Sequence, residues 1–314
     1  MPGLTRVGLL GWPLGHSVSP AMHNAAFEAL CMAGHYEALP APPDRLADAV
    51  RSLAARGYRG ANVTIPHKQA VMPLLDGLSD AARAIGAVNT IIVTRSPEAV
   101  APSKVGDDFP DRPTQTILRG DNTDWLGFLH PLDEGGFDLA GASVLLLGAG
   151  GAARAVVYAL AQRGVGQITI LNRTPAHARD LAVHAHALGV TNCQPLHVRR
   201  SAAQVQVLAI ANWQLPIDLV VNTTPAGMWP HVDESPWPAE LPFPPGALAY
   251  DLVYRPERTR FLQQAEAAGC ATQGGLEMLV VQGAAAFELW TGREPPVDVM
   301  LAAARSMLEA ERRV

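Results

Sequence analysis

Ser143-Val-Leu-Leu-Leu-Gly148-Ala149-Gly150-Gly151-Ala152-Ala153-Arg154 decides the fold. An unbroken apolar run of this length reads as a strand buried on both faces, and it feeds straight into a glycine turn and a helix. Small residues at 148, 150 and 151 let the backbone approach a diphosphate, whose charge then lies at the N-terminus of the following helix. Ala153 fills the third small position of the Gly-x-Gly-x-x-Gly pattern. Alone, the glycines would suit any tight turn; the strand before and the helix after favour a dinucleotide site. Such a turn usually opens a chain or a domain. Here it lies near the middle, so a whole domain's worth of sequence precedes it.

Downstream, Gln167-Ile-Thr-Ile-Leu171 is the next strand, and it ends in Asn172-Arg173-Thr174. An NAD-binding unit carries an acidic residue at that strand end for the ribose hydroxyls, whereas a basic one suits a phosphorylated ribose. A guanidinium can fork onto the phosphate and stack on the adenine together. Apolar strands recur at residues 219–221 and 248–252, and the long connections between them favour a parallel sheet. Asn222-Thr-Thr224-Pro-Ala-Gly227-Met228 follows one of these strands, at the carboxyl edge where open α/β sheets bind ligands. Residues 276–290 and 298–311 read as terminal helices.

Upstream, strand and helix signals alternate. Strands are expected at residues 7–11, 36–39, 60–65, 87–93 and 116–120, and helices at 20–30, 44–56, 70–75 and 125–132. Ser19 is the expected cap of the first helix, with Pro20 at its first position. Asn122-Thr123-Asp124 is the expected cap of the last. Residues 94–115 are polar, rich in proline and without period, and read as a long mobile surface loop.

The balance of residues bounds the function classes. The chain has 314 residues, enough for two domains, with 48% hydrophobic and 17% charged residues and a formal net charge of −5. No basic patch suggests nucleic-acid binding. The apolar stretch at 144–160 is broken by Arg154 and glycines, so no membrane span is expected. Cys31, Cys193 and Cys270 lack metal spacing and read as reduced thiols, and the N-terminus lacks a signal-peptide pattern; a cytoplasmic location is expected. His16, His23 and His67 are not spaced as helical metal ligands, and no metal is expected.

The motifs, taken in order, resemble one family. Gly15-His-Ser17-Val-Ser19-Pro, Asn62-Val-Thr64-Ile-Pro-His-Lys68, Gly86-Ala-Val-Asn89-Thr90, Gly120-Asp-Asn-Thr-Asp124, the Gly148 turn, Asn172-Arg173-Thr174, Asn222 to Met228, Tyr254-Arg-Pro and Gly275-Leu-Glu-Met278-Leu-Val-Val-Gln282-Gly are similar to those of the NADP-dependent shikimate/quinate dehydrogenases over nearly the whole chain. The resemblance implies a mixed-sheet α/β substrate domain, a Rossmann-type NADP domain and a cleft between them. The domains would be residues 1–123 completed by 275–314, and 124–274, with hinges at Asp124 and Gly274.

The resemblance also implies roles. Lys68 and Asp124 would be catalytic. Ser17 and Ser19 would hold the substrate carboxylate, and Thr64, Asn89, Tyr254 and Gln282 the rest of the substrate. Gly148, Ala149, Gly150, Gly151, Ala152, Asn172, Arg173, Thr174, Thr224, Met228, Leu252, Gly275 and Met278 would hold NADP. Reduction of a ketone by hydride develops negative charge on oxygen, which suits a lysine as proton donor. The implied ligand is a small molecule, shikimate or 3-dehydroshikimate, and the chain would be a monomer or homodimer. Two departures are visible. His177 stands where relatives often carry a second basic residue, which leaves the preference for NADP over NAD open, and residues 94–115 replace a short connection. A quinate/shikimate enzyme using NAD, and a ligand sensor without catalysis, remain alternatives.

Overall fold

The computed structural model describes residues 4–15, 17–97, 114–197, 200–201, 204–205 and 216–311. The chain divides into two compact units, Met1–Asn122 with Ala286–Val299 and Thr123–Ala285 with Met300–Val314.

The first unit contains β1 (Thr5–Gly11), α1 (Ser19–Ala29), β2 (Gly34–Pro40), α2 (Leu46–Ala55), β3 (Tyr58–Val63), β4 (Gly77–Leu78), α3 (Asp80–Ile85), β5 (Thr90–Pro97) and β6 (Thr114–Asp121). Its strands form one mixed sheet in the order β2-β1-β3-β5-β6-β4. β1 is parallel to β2 and β3, while β5 runs antiparallel to both β3 and β6. The carboxyl ends of β1, β3 and β6 therefore meet the start of β5 at one edge of the sheet. Val50, Leu53, Ala61, Val71 and Ile91 pack a fully buried core on this sheet. Each of the Val, Leu and Ile side chains contributes about 1.5–3 kcal/mol by leaving water.

Local chemistry explains most of the boundaries. Ser79 caps α3 by accepting the Ala82 N–H at 3.0 Å, and Gly86 ends it in the left-handed region at φ 68°. Four readings change. Ser19 does not cap α1: Val18 is the cap residue, and Ser19 is already helical. The Ser17 hydroxyl instead accepts the Ser19 N–H at 3.2 Å, and Pro20 lacks an N–H to satisfy. The helix expected at 70–75 is one 3-10 turn, Met72–Leu74, because Pro73 cannot donate the bond that would extend it. The strand expected from residue 87 begins at Thr90, since the Val88 N–H bonds the Lys68 carbonyl instead of a ladder. The ends of the expected 94–115 loop are strand: Thr94 pairs with Ile117, Arg95 with Thr116, Ser96 with Gln115 and Pro97 with Thr114. Cross-strand pairing there overrides a locally polar composition. The remainder of that stretch lies outside the described residues.

The second unit contains α4 (Asp124–Glu134), β7 (Ser143–Leu147), α5 (Gly151–Gln162), β8 (Gln167–Asn172), α6 (Pro175–Ala187), β9 (Cys193–His197), the short β10 (Arg200–Ser201) and β11 (Gln204–Val205), β12 (Leu219–Asn222), β13 (Leu248–Asp251), α7 (Arg260–Ala267), β14 (Ala271–Gln273), α8 (Leu276–Thr291) and α9 (Val297–Glu311). The last turns of α8 and the start of α9 belong to the first unit. Six strands form a wholly parallel sheet in the order β14-β13-β12-β7-β8-β9. That is the doubly wound order, with its topological switch between β7 and β12. Val144, Leu146, Val156, Leu160, Ile168, Ile170 and Val221 form one core cluster, and Leu145, Val220, Trp237, Phe243 and Phe261 another.

The expected side-chain cap of α4 is not made. Thr123 is the cap residue, but its hydroxyl donates to the Gln282 carbonyl of α8 at 2.9 Å. The two helices come close at Gly127, where an added Cβ would lie 2.4 Å from the Met278 carbonyl oxygen. Among the described residues, no helix is long and apolar enough to cross a membrane.

Candidate active site

The first unit gathers Ser17, Ser19, Thr64, Lys68 and Asn89 at the sheet edge formed by the ends of β1 and β3 and the start of β5. The Ser17 hydroxyl donates to Ser19 Oγ at 3.1 Å, so the two hydroxyls form one pair at the start of α1. The Thr64 N–H bonds the Leu10 carbonyl at 2.8 Å, which ties the segment after β3 to β1. His67 is 1% exposed, and its Nε2 lies 2.6 Å from the Ala41 carbonyl. That partner can only accept, so Nε2 carries the proton and His67 acts as an anchor for the Lys68 loop. The Lys68 carbonyl accepts the Val88 N–H at 2.7 Å. Lys68 itself is half-buried, and Asn89 is 2% exposed.

His23 is fully buried on α1, with neither ring nitrogen hydrogen-bonded, and burial pushes its pKa down to about 3. It is stacked on Tyr36 at 4.2 Å and is therefore a neutral core group. His16 lies outside the described residues. Among the described residues, no group of His, Cys, Asp or Glu is placed to hold a metal ion.

The second unit gathers the predicted dinucleotide residues at the carboxyl edge of its sheet. Gly148 has φ +108°, and a Cβ there would fall 2.5 Å from Thr223 Oγ1. Only glycine fits, on conformational and on steric grounds. Its N–H bonds the Leu171 carbonyl at 2.8 Å, and the Thr223 hydroxyl donates to the Leu147 carbonyl at 2.8 Å. Around Gly150 there is open space, and α5 begins at Gly151 with Ala152 following. The free amides of this helix start, in a glycine cradle, fit a diphosphate. Ala149 is half-buried beside them.

At the end of β8, Arg173 and Thr174 are exposed, and Asn172 Nδ2 donates to the Thr174 carbonyl at 3.0 Å. His177 and Arg179 are exposed on the first turns of α6. These residues fit a phosphorylated ribose: the turn is held by Asn172, and the guanidinium remains accessible.

The loops after β12 and β13 are clasped together by a network that sequence reading missed. Asp251 is 0% exposed. Its carboxylate accepts from Thr259 Oγ1 at 2.6 Å, Asn222 Nδ2 at 2.9 Å and the Val253 N–H at 3.0 Å. Asn222 Oδ1 accepts in turn from the Thr224 N–H and hydroxyl, at 2.9 and 2.7 Å. Burial pushes Asp251 up to about pKa 6, against the opposing pull of those three donors. Outside the network, the Arg255 guanidinium lies 4.7 Å above the Trp229 ring. The available signal was that both apolar strands end in a polar residue at one register, Asn222 opposite Asp251. The network holds the segments carrying Thr224, Met228, Leu252 and Tyr254. Met228 is 38% exposed, and Tyr254 and Leu252 are half-buried.

Gly275 packs against the Leu252 carbonyl, where a Cβ would lie at 2.3 Å, and it leads into α8. Met278 and Gln282 follow on that helix at 6% and 8% exposure. Gln282 Nε2 donates to the Leu279 carbonyl at 2.7 Å. Asp124 stands in the first turn of α4 and is 3% exposed. Thr123 ties its helix to α8 beside Gln282.

Comparison with known proteins points to a single family. Residues 9–91 match the shikimate dehydrogenase substrate binding domain, residues 132–217 the shikimate / quinate 5-dehydrogenase family, and residues 275–305 the shikimate 5'-dehydrogenase C-terminal domain. The shikimate dehydrogenase (NADP(+)) of Moorella thermoacetica is 47% identical over 94% of this chain and 90% of its own. The shikimate 5-dehydrogenase of Thermus thermophilus, solved in complex with NADP(H) and shikimate, is 39% identical with a TM-score of 0.75, covering 96% of this chain and 99% of its own. The quinate dehydrogenase of Corynebacterium glutamicum, solved with NAD, is 30% identical with a TM-score of 0.77, covering 97% and 100%.

Proposed function

This chain belongs to the shikimate dehydrogenase family, and on that premise we propose how its own residues carry the reaction. The reaction is the reversible, NADPH-dependent reduction of 3-dehydroshikimate to shikimate. On binding, the Ser17 hydroxyl turns from Ser19, and both serines hydrogen-bond the substrate carboxylate. Thr64, Asn89, Tyr254 and Gln282 hydrogen-bond the rest of the substrate. Gly148 to Ala152 cradle the diphosphate, and Asn172, Arg173 and Thr174 take the ribose 2'-phosphate. Thr224, Met228, Leu252, Gly275 and Met278 border the nicotinamide.

Bound NADPH supplies the hydride to the ketone carbon. Negative charge then grows on the ketone oxygen, and the Lys68 ammonium neutralises it by donating a proton at Nζ. In the reverse direction the neutral amine takes that proton back. Asp124 accepts a hydrogen bond from the substrate and so helps orient the reacting oxygen toward Nζ.

One observation carries this reading: the Lys68 carbonyl is bonded to the Val88 N–H at 2.7 Å. The segment bearing the proton donor and the segment bearing Asn89 are therefore one braced piece of backbone, as placement of a reacting oxygen requires. The test is steady-state oxidation of shikimate and of quinate, each with NADP and with NAD. Shikimate with NADP should give the highest kcat/KM. Faster oxidation of quinate with NAD would overturn the reading, and dinucleotide binding without turnover on either acid would favour a sensor.

A further inference from the structure

The amide of Asn89 is fixed in polarity by a buried chain of hydrogen bonds behind it. Asn62 on β3 and Thr90 on β5 are direct cross-strand partners. Asn62 Nδ2 lies 3.3 Å from the Asn89 backbone carbonyl and 3.3 Å from Thr90 Oγ1. A carbonyl only accepts, so the Asn62 group facing it must be the NH2. Asn62 Oδ1 is then turned to the Tyr36 hydroxyl at 2.9 Å, and Tyr36 must donate. The Thr90 hydroxyl accepts from the same NH2 and donates its single proton to Asn89 Oδ1 at 2.9 Å. Reversing the Asn62 amide would set its oxygen against the Asn89 carbonyl, two acceptors face to face, in a region where Asn62, Asn89 and Thr90 are all at most 5% exposed.

The far end of the chain is clamped by packing. The Tyr36 ring is stacked on His23 with planes 5° apart, and Trp290 lies 6.2 Å from it. His23 offers no hydrogen bond of its own. The tyrosine hydroxyl is therefore directed by its ring, which cannot rotate away.

We propose that Tyr36, Asn62 and Thr90 are positioning residues that lock Asn89 as a hydrogen-bond donor toward the substrate ring. The proposal rests on the substrate role given to Asn89 above. It makes a specificity statement: the ring hydroxyl that meets Asn89 must accept there and direct its own proton elsewhere. None of the three positioning residues needs to touch substrate.

Thr90→Val removes the hydroxyl and keeps the shape, while Thr90→Ser keeps the hydroxyl and removes the methyl. With shikimate and NADP in steady state, Thr90→Val should raise the shikimate KM about tenfold while kcat stays within about twofold, because uniform binding is lost. The KM for NADP should not move. Thr90→Ser should recover the native shikimate KM to within about twofold, a rescue that a purely packing role would not give. Tyr36→Phe, which deletes one atom, should shift the shikimate KM in the same direction by a smaller factor, and it carries the test if Thr90→Val does not fold. A native KM in Thr90→Val or, failing that, in Tyr36→Phe overturns the proposal, as does equal damage in Thr90→Ser. A native chain inert toward shikimate overturns the functional reading and this one with it. An active native chain with an unaffected Thr90→Val overturns this one alone.

Discussion

Replacing His23 with phenylalanine should flatten the acid limb of the stability curve. In the folded chain burial pushes His23 down to about pKa 3, from 6.5 when solvated. Between those values the unfolded chain binds a proton that the folded chain refuses, so stability is fully present above 6.5 and is lost as pH falls toward 3. The slope is about 1.4 kcal/mol per pH unit, which gives a loss of about 2 kcal/mol between about pH 7 and about pH 5. Asp251 acts with the opposite sign. Its folded pKa is raised to about 6 from 3.8, so the folded chain holds the extra proton and gains stability as pH falls through 6. That gain is about 1 kcal/mol over the same span. The native protein alone would therefore show a misleadingly small change. Urea unfolding of native chain and His23→Phe at both pH values isolates the histidine, since Asp251 contributes equally to each. The native chain should lose about 2 kcal/mol more than the variant on acidification. Equal losses would refute the assignment of His23 as a neutral, solvent-excluded group.

Three further outcomes follow from the site. Lys68→Met should lower kcat by about 10²–10⁴ while shikimate still binds within a few-fold of native, measured by single-turnover and equilibrium titration; full turnover would remove Lys68 from the chemistry. Arg173→Gln should raise the KM for NADP about tenfold or more and leave that for NAD unchanged, so an equal effect on both would deny the phosphate role. Gly148→Ala forces a side chain into the left-handed region and against Thr223. It should cost about 1–3 kcal/mol of stability and weaken NADPH binding, read by thermal melting and fluorescence titration; a variant with native values for both would contradict the turn geometry.

The parts legible in the sequence were those that local rules specify. The β7 run, its glycines and α5 declare themselves because a doubly buried strand is apolar throughout and a turn at φ +108° admits little else. The parallel order followed from the long connections. What stayed hidden depends on partners distant in sequence. Ser19 carries a good cap side chain, yet Ser17 does that work two residues earlier. Residues 94–97 look like loop until Ile117 and Thr116 pair with them. Asn62 and Thr90 stand 28 residues apart and Asn222 and Asp251 29 apart, so no local window shows that each pair shares a hydrogen bond. Pro73 is visible in the sequence, and its missing N–H keeps the helical signal at 70–75 to a single 3-10 turn.

Gly127 has a wider bearing. At that residue two helices meet with backbone nearly against backbone, a Cβ being 2.4 Å from the Met278 oxygen and 3.1 Å from the Gln282 nitrogen. The separation between Asp124 on one helix and Gln282 on the other is thus set by an atom that is missing. A single methyl at 127 would act as a spacer, lengthening the gauge between two groups it never touches. Precision in this enzyme is partly written in empty space, where a survey of reactive side chains would not look for it.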